Sequence, residues 1–503
     1  MSRQVHLRTP LLFNGISQQP PQLRFPSQVE DATNTIFSVV RGASKRPGTI
    51  FVTDVANLNA NQGYRVHAIE RDDEEKYLAI LGEGVLRVFE SNGREANVTV
   101  SQDAQDYIER NNPRPSQLRI ISIRDFSFIV NTTVPVKSKD DDPNDSETTD
   151  ALDETTMPIQ MVRTAVATSG TPAQFDVSLV TWKKRQNGDD TTNPPPSLWE
   201  EQVPISDIAF HRNRLVLAGR EFVVFSQAGD LFNFYTQDPT NVVDSDPIDV
   251  SVSAPEVTIV DYITPFRKSL VIFTKASRQF ELNAPESLTP DTAAITASTS
   301  YRTLSVEPKV LGPVLYFIGS KRGSAALYEY FFDDTRVSNT AAEVSSHVPN
   351  FLSGKVRSLA LSPNDQMVFI LPQRGSGGTI GEVTEGLAQD QTLATESGDT
   401  LITEGSDEIV TNAIETGSNI LGVYRARWNG NEKQQSAWSK YEFPYKYRVS
   451  DMAMIQNQLY MLIEDAEEGH FTIEAMSVEE EIDPRNPGSN QFLLPTGDEG
   501  GFG

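Results

Sequence analysis

Five histidines, 69 acidic side chains and no cysteine bound the chemistry open to this 503-residue chain. His6, His67, His211, His347 and His470 are scattered, with none in an HExxH or comparable spacing, so they predict packing or surface roles rather than a metal centre. Cysteine nucleophiles, disulfides and cysteine-ligated zinc or iron–sulfur sites are excluded. The acidic run KSKDDDPNDSETTDALDETT at 137–156 fails as a calcium loop. Counting from Asp140, Asp142 and Asn144 fill the third and fifth positions, but Asp145 stands where glycine is needed and Ala151 where the bidentate acid belongs. Asp244 and Asp246 in DSDPID are the kind of carboxylate pair a glycosidase uses, yet among 69 acids such a pair carries little information. There is no GxSxG elbow, GSGG at 375–378 lacks the Lys-Ser/Thr of a phosphate loop, and the Ser-x-Asp-x-Gly-x-x-Trp turn of propeller sialidases has no copy. No catalytic, metal or cofactor residue is assigned, and no enzyme is expected.

What remains is chemistry of contact. SKRPG at 44–48 and GSKRGS at 319–324 concentrate charge on turns, making Lys45, Arg46, Lys321 and Arg322 candidates for phosphate or for an acidic neighbouring subunit; the plainer reading is an exposed turn kept soluble by charge. NGISQQPPQLRFPSQ at 14–28 is stranger. Pro20, Pro21 and Pro26 fix an extended backbone that cannot join a central strand, and Gln18, Gln19 and Gln22 can bond neighbouring main chain. With Ile16, Leu23 and Phe25 as anchors beside Arg24, the segment reads as an ordered strap laid on the protein's own body or on a neighbouring copy.

The elements that would carry these residues are strands. Helical periodicity is scarce, and short apolar runs joined by Asn, Asp, Gly or Ser turns recur as hairpins. The first apolar residue of each central run falls at Leu78, Phe128, Leu215, Leu270, Leu315, Met367 and Leu459, with gaps of 50, 87, 55, 45, 52 and 92 residues. Both long gaps contain an insertion and further strands, FDVSLVTW at 175–182 and NILGVYRARW at 419–428. A repeat of about 40–50 residues of antiparallel strand predicts propeller blades rather than sandwiches, whose turns come every 8–12 residues without a longer period. The expected fold is all-β, a β-propeller-like body with blades of about 50 residues and inserted β-rich arms or loops. Its parts are a strap (1–50), first blades (51–136), an inserted acidic loop and β-region (137–204), blades (205–372), an acidic arm or loop (379–418), final blades (419–482) and a tail (483–503). The balance of 43 basic against 69 acidic side chains, a net of −26, argues against wrapping nucleic acid but suits a duct through which a polyanion slides. With neither a secretory pattern at the start nor a run of about 20 apolar residues, the expectation is a soluble chain made in the cytoplasm, with no membrane segment.

GISQQPPQLRFPSQ, followed by KRPGT at 45–49, resembles the opening of the tail tubular protein B family, the nozzle proteins of short-tailed, podovirus-type bacteriophages, which begin GISQQP-x-x-LR-[FY]-P-x-Q and reach a KRP soon after. VHAIERDDEEKYLAILGEGVLRVFESNGRE (66–95), NPRPSQLRIISIRDFSFIVN (112–131), ISDIAFHRNRLVLAG (205–219), SQAGDLFNFY (226–235), DSDPIDVSVS (244–253) and SSHVPNFL (345–352) continue the resemblance in family order. It implies a structural virion protein at the distal end of the tail: a homohexameric ring beneath a tail adaptor, with fibre or spike proteins nearby and double-stranded DNA passing without sequence-specific binding. The ring would retain the genome and conduct it out on ejection. The 379–418 arm has no counterpart, and the sequence stops short of the extra C-terminal β-region of longer members. The alternative expectation is a phage propeller that binds or degrades host glycans.

Overall fold

Arg212 and Asn213 both take positive φ, 48° and 63°, in the two-residue turn between strands Asp207–His211 and Arg214–Gly219. Two such residues give the turn whose twist matches that of the flanking strands, so the hairpin closes tightly. Arg267, Gln366 and Gln456 take positive φ in the equivalent turns of three other hairpins. In the computed structural model, such hairpins recur throughout the described residues. The structure describes residues 11–139, 151–373 and 417–478, apart from a few residues in turns (61, 73, 83, 124, 255–257, 276–277, 285–286, 322–323, 353–354 and 430–431), together with 391–392 and 410–412.

Seven sheets follow one another around an axis. Blade I has three strands, Arg65–Glu70, Lys76–Gly82 and Val85–Glu90. Blade II has five, in the order Leu118–Ile123, Phe126–Asn131, Ile159–Ala165, Gln174–Ser178 and, parallel to the last, Asn97–Val100. Blades III, IV and V are four-stranded meanders opening on Asp207–His211, Val260–Phe266 and Lys309–Leu311. Blade VI runs Val356–Ser362, Met367–Pro372, Ile420–Asn429 and Glu432–Glu442. Blade VII joins Tyr447–Ile455, Gln458–Asp465 and His470–Ser477 to Thr49–Val55 from the other end of the chain, so the ring is closed by pairing across more than 400 residues of sequence. Every one of the seven apolar anchors lies in the second strand of its blade.

Those second strands read as continuous apolar runs because both faces are covered. LVIFT at 270–274 and MVFILP at 367–372 are buried along their whole length. Seven apolar clusters fill the seven gaps between blades, one per gap. Between blades II and III, Trp182 and Trp199 meet Phe234 at ring-centroid distances of 5.8 and 5.4 Å; between IV and V, Phe317 stacks on Tyr328 at 5.1 Å. A buried side chain of this size contributes about 1.5–3 kcal/mol, so each blade depends on both neighbours for most of its stability.

Two expected boundaries shift. The division at 136/137 cuts through blade II, since Ile159–Ala165 pairs directly with Phe126–Asn131; 137–204 is not a separate region but supplies two strands of that blade. The division at 50/51 cuts the closing strand of blade VII, which belongs with the final blade rather than the first ones. The 379–418 arm enters between the second and third strands of blade VI. Within it, Gln391 and Thr392 pair antiparallel with Asn412 and Val410, and Ser418 at its end bridges Val449 of blade VII; 379–390, 393–409 and 413–416 lie outside the described residues, as do 140–150 and the 483–503 tail.

Candidate functional site

The strap is positioned by the outer strand of blade VI. Gly15 and Thr33 form parallel bridges to Trp438 and Lys440, and the Ile16 N–H donates to the Trp438 carbonyl at 2.8 Å. Ile16, 2 % exposed, enters the apolar cluster between blades V and VI, alongside Trp438 and Val348. Gln18 clasps blade V's flank: its N–H donates to the His347 carbonyl at 3.0 Å, and its side-chain oxygen accepts from the Asn350 N–H at 2.8 Å. Beyond it the chain turns back on itself. The Pro20 carbonyl accepts from the Leu23 and Arg24 N–H groups at 2.9 and 3.1 Å, while Arg24 reaches the Gln19 carbonyl at 3.1 Å and Glu30 at 3.4 Å. That knuckle lifts Leu23 and Phe25 off the body, leaving them 67 % and 65 % exposed. Of the three expected anchors, only Ile16 anchors the strap to its own propeller.

The basic turns divide as well. Arg46 is an internal brace: its guanidinium donates to the Asn34 side chain at 2.8 Å and to the Pro47 carbonyl at 2.9 Å, and lies over the Phe443 ring at 4.9 Å. Lys45 beside it is exposed. Lys321 is exposed and ion-paired with Glu343; Arg322 lies outside the described residues.

The carboxylate pair of DSDPID faces no shared cleft. Asp244 is exposed, whereas Asp246 is fully buried and accepts the Val243 N–H at 2.9 Å. The segment's carbonyls instead cradle the buried Arg214, which donates to Asp244, Asp246 and Ser226 main chain at 2.8, 2.6 and 2.8 Å. Burial, with Arg212 nearby, lowers the His211 imidazole to about 4. Ligand-capable atoms of Asp465, Glu468 and His470 approach one another within 4.8 Å at one hairpin tip. Asp465 is already occupied by the Lys446 ammonium at 3.1 Å and by the Glu467 and Glu468 N–H groups, so the group is a capped turn.

The propeller axis holds the feature that the sequence left unread, a network of charges linking the inner strands. Asp207 of blade III accepts the Ile263 N–H of blade IV at 2.8 Å, and Asp451 of blade VII accepts the Val66 N–H of blade I at 2.8 Å and the Ser358 hydroxyl of blade VI at 2.6 Å. Longer side chains reach past their neighbours. Arg65 of blade I meets Glu307, just ahead of blade V, at 2.5 Å, and Arg119 of blade II passes blade III to reach Asp261 of blade IV at 3.6 Å and the Tyr262 hydroxyl. Burial would raise the Glu307 carboxyl, but Lys309 and Arg65 outweigh it and hold it at about 2. Burial pushes Asp207 up to about 7, only partly opposed by Arg119. His67, bonded to Ser122 at 3.0 Å, is lowered to about 3 by burial and then by Lys309. These bridges lace the axis shut to anything as wide as a nucleic-acid duplex. The recurring S-D-[IM]-A of SDIA (206–209) and SDMA (450–453) was the available signal for Asp207 and Asp451.

The sequence profile of the bacteriophage nozzle protein family matches residues 3–152 and 143–492 of the chain. Among curated proteins, the tail tubular protein gp12 of Escherichia phage T7 is 23 % identical over 516 residues, covering 72 % of this chain and 64 % of that protein; the chain therefore spans less than two thirds of that relative's length. Among solved structures, Chaetomium thermophilum Raptor aligns with 86 % of this chain and 29 % of its own, at 8 % identity and a TM-score of 0.41. The computationally designed Ika8 protein aligns with 86 % of this chain and all of its own, at 8 % identity and a TM-score of 0.37.

Proposed function

Because the chain belongs to the bacteriophage nozzle protein family, we propose that it is a non-enzymatic structural protein of a short phage tail, whose copies close into a six-fold ring that retains the packaged genome and conducts it out during ejection. The observation that carries this reading is the family match, which runs from residue 3 to residue 492 and so takes in the strap and all seven blades. In the ring, double-stranded DNA runs between copies and not through any one propeller, a route supported by the side chains that lace each propeller axis. The excess of acids, a net of −26, would keep the duplex hydrated and unbound as it slides. Propeller sheets suit a stiff wall, since closure leaves few free strand edges.

The strap supplies the contact between copies. Ile16 and Gln18 fasten it to blades V and VI of its own chain, and the knuckle then offers Leu23 and Phe25, with Arg24 between them, to the next copy or to the adaptor ring above. Fibres or spikes would dock near that junction. Mass determination and negative-stain imaging of the purified chain, alone and with a portal–adaptor complex, test the proposal. Six-fold rings capping the adaptor are the expected outcome; a monomer that ignores the adaptor would overturn it.

A further inference from the structure

Ile50 and Phe51 are consecutive residues of a strand, yet neither is buried: they stand 44 % and 57 % exposed near the start of Thr49–Val55. Successive side chains of a strand point to opposite faces, and blade VII has a neighbouring blade on each, so this end of the strand projects beyond both packed gaps. The strand is also the outermost of its blade, paired with His470–Ser477 on one side only. An open edge that carries large apolar side chains is a template for another chain, and natural sheets usually blunt such edges with lysine or proline. Thr49–Val55 has neither, and its one charge, Asp54, lies past the bulge that interrupts the pairing between Phe51 and Thr53.

This patch and the strap's knuckle lie on opposite faces of the propeller. Blades VI and VII turn from first strand to second at 363–366 and 456–457, and the Asn364 and Asn457 side chains of those turns meet at 2.5 Å. Val478, which directly follows the strand paired with Thr49–Val55, donates its N–H to the Asn457 carbonyl at 2.9 Å, so Ile50 and Phe51 lie at this hairpin face. The strap runs the other way. Gly15 bridges Trp438 in parallel, so the chain after it follows Glu432–Glu442 away from the hairpin face, and Gln18 meets His347 and Asn350 in the connection between blades V and VI. Leu23 and Phe25 project from that far face. Held there by the Pro20 turn, they cannot reach the Ile50 and Phe51 of their own chain.

Copies that close a ring through one kind of contact need two unlike patches that fit each other. Among the described residues, these are the two places where an exposed aromatic and an exposed aliphatic side chain stand within three residues of each other, the kind of anchor that carries interfaces. Building on the ring proposed above, we infer that the Leu23 and Phe25 knuckle of one copy seats on Ile50 and Phe51 of the next. Because this contact joins opposite faces, the propeller axes run around the ring rather than along its channel, which keeps the laced axes out of the duplex's path.

The chain has no cysteine, so two introduced thiols report this contact alone. Gln22 and Gly48 are exposed, flank the anchors and leave them in place, and a side chain at Gly48 would meet nothing within 4 Å. Gln22→Cys with Gly48→Cys, treated with a short bis-maleimide, should give a ladder of covalent oligomers ending at the ring, whereas a one-to-one mixture of the two single variants should stop at dimers. Phe51→Ser should raise the concentration at which rings half-form about tenfold or more, with the urea midpoint unchanged. Rings seen by sedimentation velocity that yield no cross-links would overturn the contact and leave the ring standing. Dimers from Gln22→Cys alone would show knuckles paired with each other and overturn it too. Monomers throughout would overturn the ring, and this contact with it.

Discussion

His67, Glu307 and Asp207 stand within one side-chain network on the propeller axis but respond to pH in opposite senses. His67 titrates at about 3 in the folded chain against an ordinary 6.5, so an unfolded chain takes up a proton that the native state refuses, and stability falls as pH drops through that interval. Glu307, at about 2 against 4.5, contributes stability that is complete above 4.5 and lost as pH falls through 2. Asp207 runs the other way: at about 7 against 3.8, the native state keeps a proton that the unfolded chain has released, and stability falls as pH rises from 3.8 to 7. His67 and Asp207 therefore oppose each other between about pH 4 and 6.5, whereas His67 and Glu307 act together below it. Urea midpoints from pH 3 to 8 should show the wild type losing stability relative to Glu307→Gln only below 4.5, and losing stability relative to Asp207→Asn as pH rises toward 7. Profiles for wild type and either variant that run parallel would remove that carboxyl from the account.

At the scale of elements, the strap depends on one backbone position. Gly15 has φ +67°, and a β-carbon there would lie 2.4 Å from the Trp438 nitrogen and 2.5 Å from its carbonyl oxygen, both main-chain atoms of a paired strand that cannot step aside. Gly15→Ala should cost on the order of 1–3 kcal/mol from the left-handed backbone alone, and more from the clash. The expected signs are a lower urea midpoint and faster proteolysis between residues 17 and 28, and wild-type proteolysis would sink the idea that this bridge seats the strap. Some of this was legible beforehand. Each apolar anchor from Leu78 to Leu459 marked the second strand of a blade, because a strand covered on both faces must be apolar throughout. The strap's prolines do not give the extended backbone expected of them: the Pro20 carbonyl closes a turn that contains Pro21, and Pro26 lies in a second turn closed by the Gln28 N–H on the Phe25 carbonyl at 2.9 Å. Pairings between distant segments could not be read: Thr49–Val55 has an ordinary strand pattern that says nothing of a partner at His470–Ser477, and blade II gathers its outer strands from both sides of an acidic loop. Nor could the exposure of Leu23 and Phe25, which is fixed by the hydrogen bonds of the Pro20 turn rather than by residue type.

For the whole molecule, the proposed ring would set an exposed apolar knuckle against a large like charge. Each copy brings a net of −26, so bringing six together is opposed by repulsion that reaches about 10 Å at 0.1 M salt and shortens as salt rises. The attraction that overcomes it must be short-ranged, and burying two side chains such as Leu23 and Phe25 at each contact supplies on the order of 3–6 kcal/mol. Ring formation should therefore strengthen from 50 to 500 mM salt, the reverse of what ion-paired contacts would give. Leu23→Ser with Phe25→Ser should leave a folded monomer at every salt concentration, because neither side chain takes part in the propeller core. Sedimentation velocity on both proteins across that range separates the contributions. Rings that form equally well from the double variant would place the contact elsewhere on the surface; a variant that unfolds would show the knuckle supporting its own propeller after all.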